Sequence, residues 1–185
     1  MSQALLKKPS TQADTPRIYV ACLASYNAGR LHGTWIEVDG DVDDLQEAIQ
    51  TMLASSPEPD AEEWAIHDFE GFGEVHIQEY TSLGRLCEMA ELIREHGDLA
   101  THVIDHFGDD VDAARQALAD EYQGRYDSLE DYAHQFMEET GQLTSIPDNL
   151  RNYIDFESMG KDFDLNGDIF TIETGHTALH VFWNR

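Results

Sequence analysis

The sequence is short of positive charge. It has 11 Lys and Arg against 37 Asp and Glu, and its formal net charge is −26 at pH 7. Between Arg30 and Arg85 there is no Lys or Arg at all. A chain of this charge repels phosphate, which argues against direct binding of nucleic acid.

Cysteine and long apolar runs are scarce as well. Cys22 and Cys87 are isolated, without the spacing of a disulfide framework, which is typical of a reducing cytoplasm. No stretch approaches the roughly 20 apolar residues of a membrane-spanning helix, and residues 1–15 lack the apolar run of a signal peptide. We therefore expect a cytoplasmic protein with a disordered leader at residues 1–15 and both cysteines in its core.

Catalytic signatures are missing too. The sequence has no GxSxG elbow, P-loop, GxGxxG fingerprint or HExxH pair. Carboxylate pairs are so abundant that they do not indicate a general acid and base. We predict that the protein is not an enzyme and that it needs no cofactor.

Apolar residues are sufficient for a folded core. They make up 41% of the chain and include 3 Trp, 7 Tyr and 8 Phe. Periodicity and turn residues predict an α+β fold. The predicted strands are 17–24, 31–38, 63–69, 168–173 and 177–183, and the last two form a hairpin. The predicted helices are 41–55, 82–97, 99–107, 109–122 and 129–140, with a further helical turn near 150–156.

Carboxylates are concentrated between residues 105 and 139. They are Asp105, Asp109, Asp110, Asp112, Asp120, Glu121, Asp127, Glu130, Asp131, Glu138 and Glu139. Apolar residues recur there at helical spacing, for example Leu129, Tyr132 and Phe136, so one face can be buried. Asp127 or Ser128 can cap this helix. We interpret the segment as ordered helices that hold negative charge at fixed positions.

The amount of charge is comparable to that of duplex DNA. A compact chain of this length has a radius of gyration near ~16 Å and a diameter of about 40 Å. Duplex DNA carries one charge per roughly 1.7 Å, so that length of DNA holds roughly 24 phosphate charges. The protein therefore has about as much charge for its size as DNA, although a role in solubility alone is also consistent with this composition.

A calcium loop is an alternative interpretation of the C-terminal acids. Residues 162–173 fit the calcium-loop pattern with Gly167 at the sixth position. The candidate ligands are Asp162, Asp164, Asn166, Asp168 and Glu173. Phe170 at the ninth position, and a strand where the second helix is required, count against it.

Paired histidines provide a weaker alternative. His102 and His106 lie one helical turn apart, and His176 and His180 have the same spacing in a strand-like context. A hydrolase with a metal at His102 and His106 is therefore a third possible function. A strand would merely place His176 and His180 on one face.

Three parts of the sequence resemble the ArdA-type antirestriction proteins. They are IYVA with YNAGRLHGTW (18–21, 26–35), WAIHDFE (64–70), and a C-terminal set of EETG, IP, NYIDF and GKD (138–141, 146–147, 152–156, 160–162). The resemblance covers roughly residues 16–185 in the same order.

The resemblance implies a fold and an assembly. The expected fold is an elongated α+β chain of three small subdomains that forms a curved homodimer. The subdomains are a small antiparallel sheet with a helix at 16–79, a central helical unit at 80–121, and C-terminal helices with a β-hairpin at 122–185. The dimer contact and the antirestriction motif are expected at Asn152, Tyr153, Ile154, Asp155, Phe156 and Asp162.

The resemblance also implies a function. Members of this family are carried by mobile genetic elements, mimic bent B-form DNA and occupy the DNA-binding groove of type I restriction–modification enzymes. The expected partners are the methyltransferase core of such an enzyme and a second copy of the chain. The acids of residues 105–139 are then expected to replace phosphates.

Overall fold

The computed structural model describes residues 15–175 and 178–185. Within them the chain forms six strands and eight α-helices, which confirms the α+β class. The described residues divide into two compact units, with the boundary between Asp98 and Leu99. The division into 16–79, 80–121 and 122–185 stays a prediction, and the leader predicted at 1–15 lies outside the described residues except for Thr15.

The N-terminal unit is a three-stranded antiparallel sheet with helices. Its elements are β1 (Arg17–Cys22), α1 (Leu23–Asn27), β2 (Gly33–Glu37), α2 (Val42–Ala54), β3 (Trp64–Glu70) and α3 (Leu83–His96). The strand order is β2-β1-β3. Ile18 and Val20 of β1 are fully buried together with Ile49 of α2, so this face of the sheet and α2 form the core.

The predicted ends of the two longer helices are confirmed. Asp41 caps α2 by accepting a hydrogen bond from the Asp43 amide at 2.8 Å, and Ser82 caps α3. Gly97 ends α3 with a φ of 64°, a conformation that glycine adopts without strain. The predicted strand 17–24 ends earlier, because α1 begins at Leu23. Both cysteines are buried, as predicted.

The C-terminal unit packs helices around a second antiparallel sheet. Its elements are α4 (Asp98–His106), α5 (Val111–Gln116), β4 (Tyr122–Tyr126), α6 (Leu129–Glu139), α7 (Asp148–Arg151), α8 (Phe156–Leu165), β5 (Ile169–Thr174) and β6 (Ala178–Trp183). The strand order is β4-β6-β5, and β5 and β6 form the predicted hairpin. A π-helical turn, Ala117–Glu121, leads into β4.

Two elements of this unit differ from the sequence prediction. Strand β4 occupies residues predicted to be helix or turn; it exists because Tyr122 pairs with Phe182 and Tyr126 with Leu179, far along the chain. Helix α8 was not predicted, because the helical turn expected near 150–156 ends where α8 begins. Gly160 lies inside α8, at a position where a Cβ would collide with the Leu129 backbone of α6.

Tyr132 and His180 are two of the buried side chains of the C-terminal unit that carry polar groups. Tyr132 packs with Ile169 and Val181; its hydroxyl has no hydrogen-bond partner among the residues that the structure describes, and burial raises its pKa to about 12. His180 is hydrogen-bonded to the Tyr122 hydroxyl at 2.8 Å and to the Thr174 hydroxyl at 3.0 Å. Burial, followed by the charges of Arg125 and His102, lowers the pKa of His180.

Candidate partner-binding surface

Carboxylates dominate the surface of both units. Of the 36 Asp and Glu among the described residues, 32 are exposed. Glu58, Glu91 and Asp109 are half-buried, and Glu121 is buried. The folded chain therefore presents almost all of its negative charge to solvent.

Basic residues are too few to neutralise this charge. The described part of the chain has nine Lys and Arg, so one-to-one pairing would still leave 27 of 36 carboxylates unpaired. Ion pairs join Arg17 to Glu70, Arg30 to Glu58, Arg151 to Asp148 and Lys161 to Glu157. Most of these side chains are exposed, and exposed pairs contribute about 0–1 kcal/mol each to stability. Ion pairing therefore does not account for the charge.

A dense group of acids surrounds the start of α2 in the N-terminal unit. It comprises Asp39, Asp41, Asp43, Asp44 and Glu47, all of them exposed. The neighbouring charges, Asp41 first among them, raise the pKa of Asp44. These residues are not among the predicted site residues. The absence of Lys and Arg between Arg30 and Arg85 is the sequence signal that could have identified them.

The predicted acids of residues 105–139 lie mostly at the surface. Exposed members are Asp105, Asp110, Asp112, Asp120, Asp127, Glu130, Asp131, Glu138 and Glu139. Asp109 is half-buried in a left-handed turn with a φ of 67°. Asp110 caps α5 by accepting a hydrogen bond from the Ala113 amide. Glu121 is only 7% exposed, so its carboxylate is not available to a partner.

Helix α6 holds acids at both of its ends. Glu130 and Asp131 lie in the first turn, Glu138 and Glu139 lie in the last, and no basic residue occupies that last turn. Asp131 and Glu138 are two helical turns apart, about 10 Å along the axis. This equals roughly three nucleotide steps of one DNA strand.

Negative charge at the end of α6 is unfavourable for the helix itself. A helix C-terminus carries partial negative charge, so carboxylates there cost about 0.3–1 kcal/mol each at low ionic strength. Glu138 has the His134 ring nitrogen at 3.6 Å, and Glu139 accepts a hydrogen bond from Gln135 at 2.7 Å. The two acids are therefore held in place although they do not favour the helix.

The residues of the predicted antirestriction motif surround the junction of α7 and α8. Tyr153 is 84% exposed, and the Asn152, Asp155 and Asp162 side chains are also exposed. Ile154 and Phe156 are half-buried and line a groove of about 600 Å³ together with Leu143. The structure thus presents an isolated aromatic side chain beside a partly apolar groove.

Asp155 has a clear structural role in this motif. It caps α8, accepting hydrogen bonds from the Ser158 amide at 2.9 Å and the Ser158 hydroxyl at 2.8 Å. These hydrogen bonds, with a smaller effect from Lys161, lower the pKa of Asp155. Asp155 therefore stabilises the start of α8 whatever else it contacts.

The calcium-loop alternative does not match the observed backbone. A calcium loop of this type folds its ligands around the ion between two helices. Here Asp162 and Asp164 lie within α8, and Glu173 lies on β5. The segment is helix, turn and strand, because its apolar residues pair with β6.

The histidine pairs do not form a metal site within the described residues. His102 and His106 are both on α4, as predicted, but the His106 ring stacks on Phe170 with centroids 4.6 Å apart. His180 is buried and hydrogen-bonded in β6, and His176 lies outside the described residues. No group of three or more potential metal ligands is present in residues 15–175 and 178–185.

Within the described part of the chain, no helix is both long and apolar enough to cross a membrane.

Comparison with known proteins gives one result. A sequence model of the family described as antirestriction protein (ArdA) matches residues 18–178, which is most of the chain. A search of proteins with curated functions finds no match.

Proposed function

The chain belongs to the ArdA antirestriction protein family, and on this premise we propose that it inhibits type I restriction–modification enzymes by mimicking DNA. Family membership implies an antirestriction function against type I enzymes. The finer proposal is that surface carboxylates imitate the phosphates of bent B-form DNA and occupy the DNA-binding groove. Incoming mobile DNA is thereby protected.

The display of 32 exposed carboxylates is the observation that supports mimicry best. A DNA-binding groove is lined with basic side chains arranged for a row of anions. Ordered carboxylates can fill such a groove without first paying the entropy of ordering a flexible acidic tail. The protein itself acts as an inhibitor, without a catalytic site or a cofactor, and does not bind nucleic acid. Its target requires it in the cytoplasm.

The acids at the C-terminal end of α6 also support DNA mimicry. Glu138 and Glu139 oppose the helix dipole, and no basic residue lies in the same turn. A residue that destabilises its own helix slightly is readily explained if its charge serves a partner. The same holds for the group around α2, where the Asp44 carboxyl experiences repulsion from its neighbours.

The active form is proposed to be a homodimer that contacts its partner copy near residues 152–162. Tyr153 is 84% exposed, and Leu150 is 49% exposed. Both are near the groove lined by Leu143, Ile154 and Phe156. An aromatic side chain left in water next to an apolar groove is a suitable anchor for an interface.

Competition with DNA tests the proposed function. The full chain is expected to displace a duplex that contains the recognition site from a type I methyltransferase core. Its affinity should fall at least about tenfold between 50 and 200 mM salt, because the contact is ionic. No displacement, or an affinity that does not change with salt, would contradict mimicry.

A further inference from the structure

A groove in the C-terminal unit has a different character from the open acidic surface. It is open to solvent and has a volume of about 560 Å³. Its walls come from the start of α6, from one side of α8 and from the β5–β6 hairpin.

Three of the lining residues, which we call the floor of the groove, are apolar and half-buried: Leu129, Ala178 and Leu179. Leu129 and Leu179 also pack against the buried cluster of Tyr132, Ile169 and Val181. The core of the unit therefore fixes these two residues in place.

The charged lining residues, which we call the rim, are mostly anionic. They are Asp127, Glu130, Glu157, Asp164, Glu173 and Lys161. Their formal charges sum to −4, and Lys161 pairs with Glu157 across one turn of α8. The remaining carboxylates lie on α6, on α8, on β5 and in the loop before α6.

We propose that this groove receives an arginine side chain from the DNA-binding surface of the target enzyme. The inference rests on the proposed function, since it takes the partner to be a basic DNA-binding groove. An arginine has an apolar stem and a planar cationic end, so its stem packs on Leu129 and Leu179 while its guanidinium binds the rim. Carboxylates suit the guanidinium because they accept two parallel hydrogen bonds from it.

The DNA backbone does not offer a contact of this kind. A sugar–phosphate backbone presents anions but has no apolar floor of this kind between them. In the groove, burial of apolar surface therefore contributes to the affinity. Salt weakens this contribution less than it weakens the attraction between exposed charges. The inhibitor would then remain bound to the enzyme at salt concentrations that weaken the binding of DNA to the same enzyme.

The variant Ala178→Glu tests whether the groove itself, and not only the total negative charge of the protein, contributes to binding. The substitution adds a negative charge but fills the floor of the groove. If charge alone governed binding, affinity would stay the same or rise. If the groove receives an arginine, displacement of DNA from the methyltransferase core should weaken at least about tenfold. Ala119→Glu is the matched control, because Ala119 is exposed in the same unit and away from the groove.

The outcomes distinguish failure of the arginine-groove proposal from failure of DNA mimicry. Binding by Ala178→Glu as tight as by Ala119→Glu would overturn the arginine groove and leave mimicry intact. A wild-type chain that fails to displace DNA would instead refute the proposed function.

Nuclear magnetic resonance gives a second measurement that does not depend on the variant folding. N-acetyl-arginine amide is titrated into the wild-type chain at millimolar concentration. Saturable shifts at the Leu129 and Leu179 amides, exceeding those at Asp43 and Asp44, are expected. Equal shifts at all exposed acids would overturn the proposal.

Discussion

Single residues decide how the helices of the C-terminal unit meet. Gly160 lies in the middle of α8 and is buried, and a Cβ at this position would collide with the Leu129 carbonyl. The collision involves backbone, which cannot rotate away as a long side chain can. Glycine is therefore required for the close approach of α6 and α8, and both acidic helices depend on it.

Gly160→Ala is expected to destabilise the C-terminal unit by at least about 1–3 kcal/mol, the usual cost of overpacking a core. Urea unfolding followed by circular dichroism measures the change. Gly84→Ala is the control, because Gly84 is also helical and a Cβ there meets nothing within 4 Å. That variant should be stabilised by about 0.5–1 kcal/mol. A neutral result for Gly160→Ala would show that the two helices can separate without loss.

The role of Asp155 affects how mutations in the antirestriction motif are interpreted. Its carboxylate accepts two hydrogen bonds from Ser158 at the start of α8. Loss of a helix cap costs about 0.5–2 kcal/mol. A defect caused by Asp155→Ala would therefore combine structural damage with any lost contact to a partner, whereas Tyr153 is a cleaner position.

At the scale of elements, the acids of α6 allow an effect on helix stability to be distinguished from an effect on binding. Its first-turn acids, Glu130 and Asp131, interact favourably with the helix dipole, while its last-turn acids, Glu138 and Glu139, interact unfavourably. If all four serve as phosphate substitutes, removing the acids of either end should weaken inhibition equally. Removing the first-turn acids should destabilise the helix, whereas removing the last-turn acids should stabilise it.

The double variant Glu138→Gln with Glu139→Gln tests this argument. We expect it to be as stable as the wild type, or more stable by about 0.3–1 kcal/mol per residue at low salt, because an unfavourable charge is removed. Its affinity for the methyltransferase core should nevertheless fall severalfold. Thermal unfolding and DNA competition measure the two quantities on the same samples.

The matched variant removes two charges from the other end of α6. Glu130→Gln with Asp131→Asn should also weaken binding, but it should destabilise the helix. Undiminished binding by both double variants would exclude α6 from the interface with the enzyme.

At the scale of the whole molecule, function is proposed to require two copies of the chain. Tyr153→Ser should shift the protein from dimer to monomer, because the side chain is exposed in the single chain and would be buried between copies. Light scattering coupled to size exclusion measures the mass. Tyr80→Ser is the control, since Tyr80 is 69% exposed but lies in the N-terminal unit. Equal dimerisation of both variants would place the contact elsewhere.

Much of the fold could be predicted from the sequence. Strands β1, β2 and β3, helices α2, α3, α4 and α6, and the C-terminal hairpin follow from apolar periodicity with local stop and cap signals such as Asp41, Ser82 and Gly97. The net charge and the resemblance to antirestriction proteins are also properties of the sequence alone. These features depend on neighbours a few residues apart, which a linear pattern records.

Other features were decided by tertiary structure. Strand β4 forms because residues 122–126 pair with β6, more than 50 residues away, and α8 continues through Gly160 because α6 packs there. Burial of Glu121 and the convergence of Leu129, Ala178 and Leu179 with acidic residues in one groove likewise depend on the packed chain. The sequence by itself determined how much negative charge the protein carries, whereas long-range packing decided where that charge stands, because contacts between distant residues have no local signal.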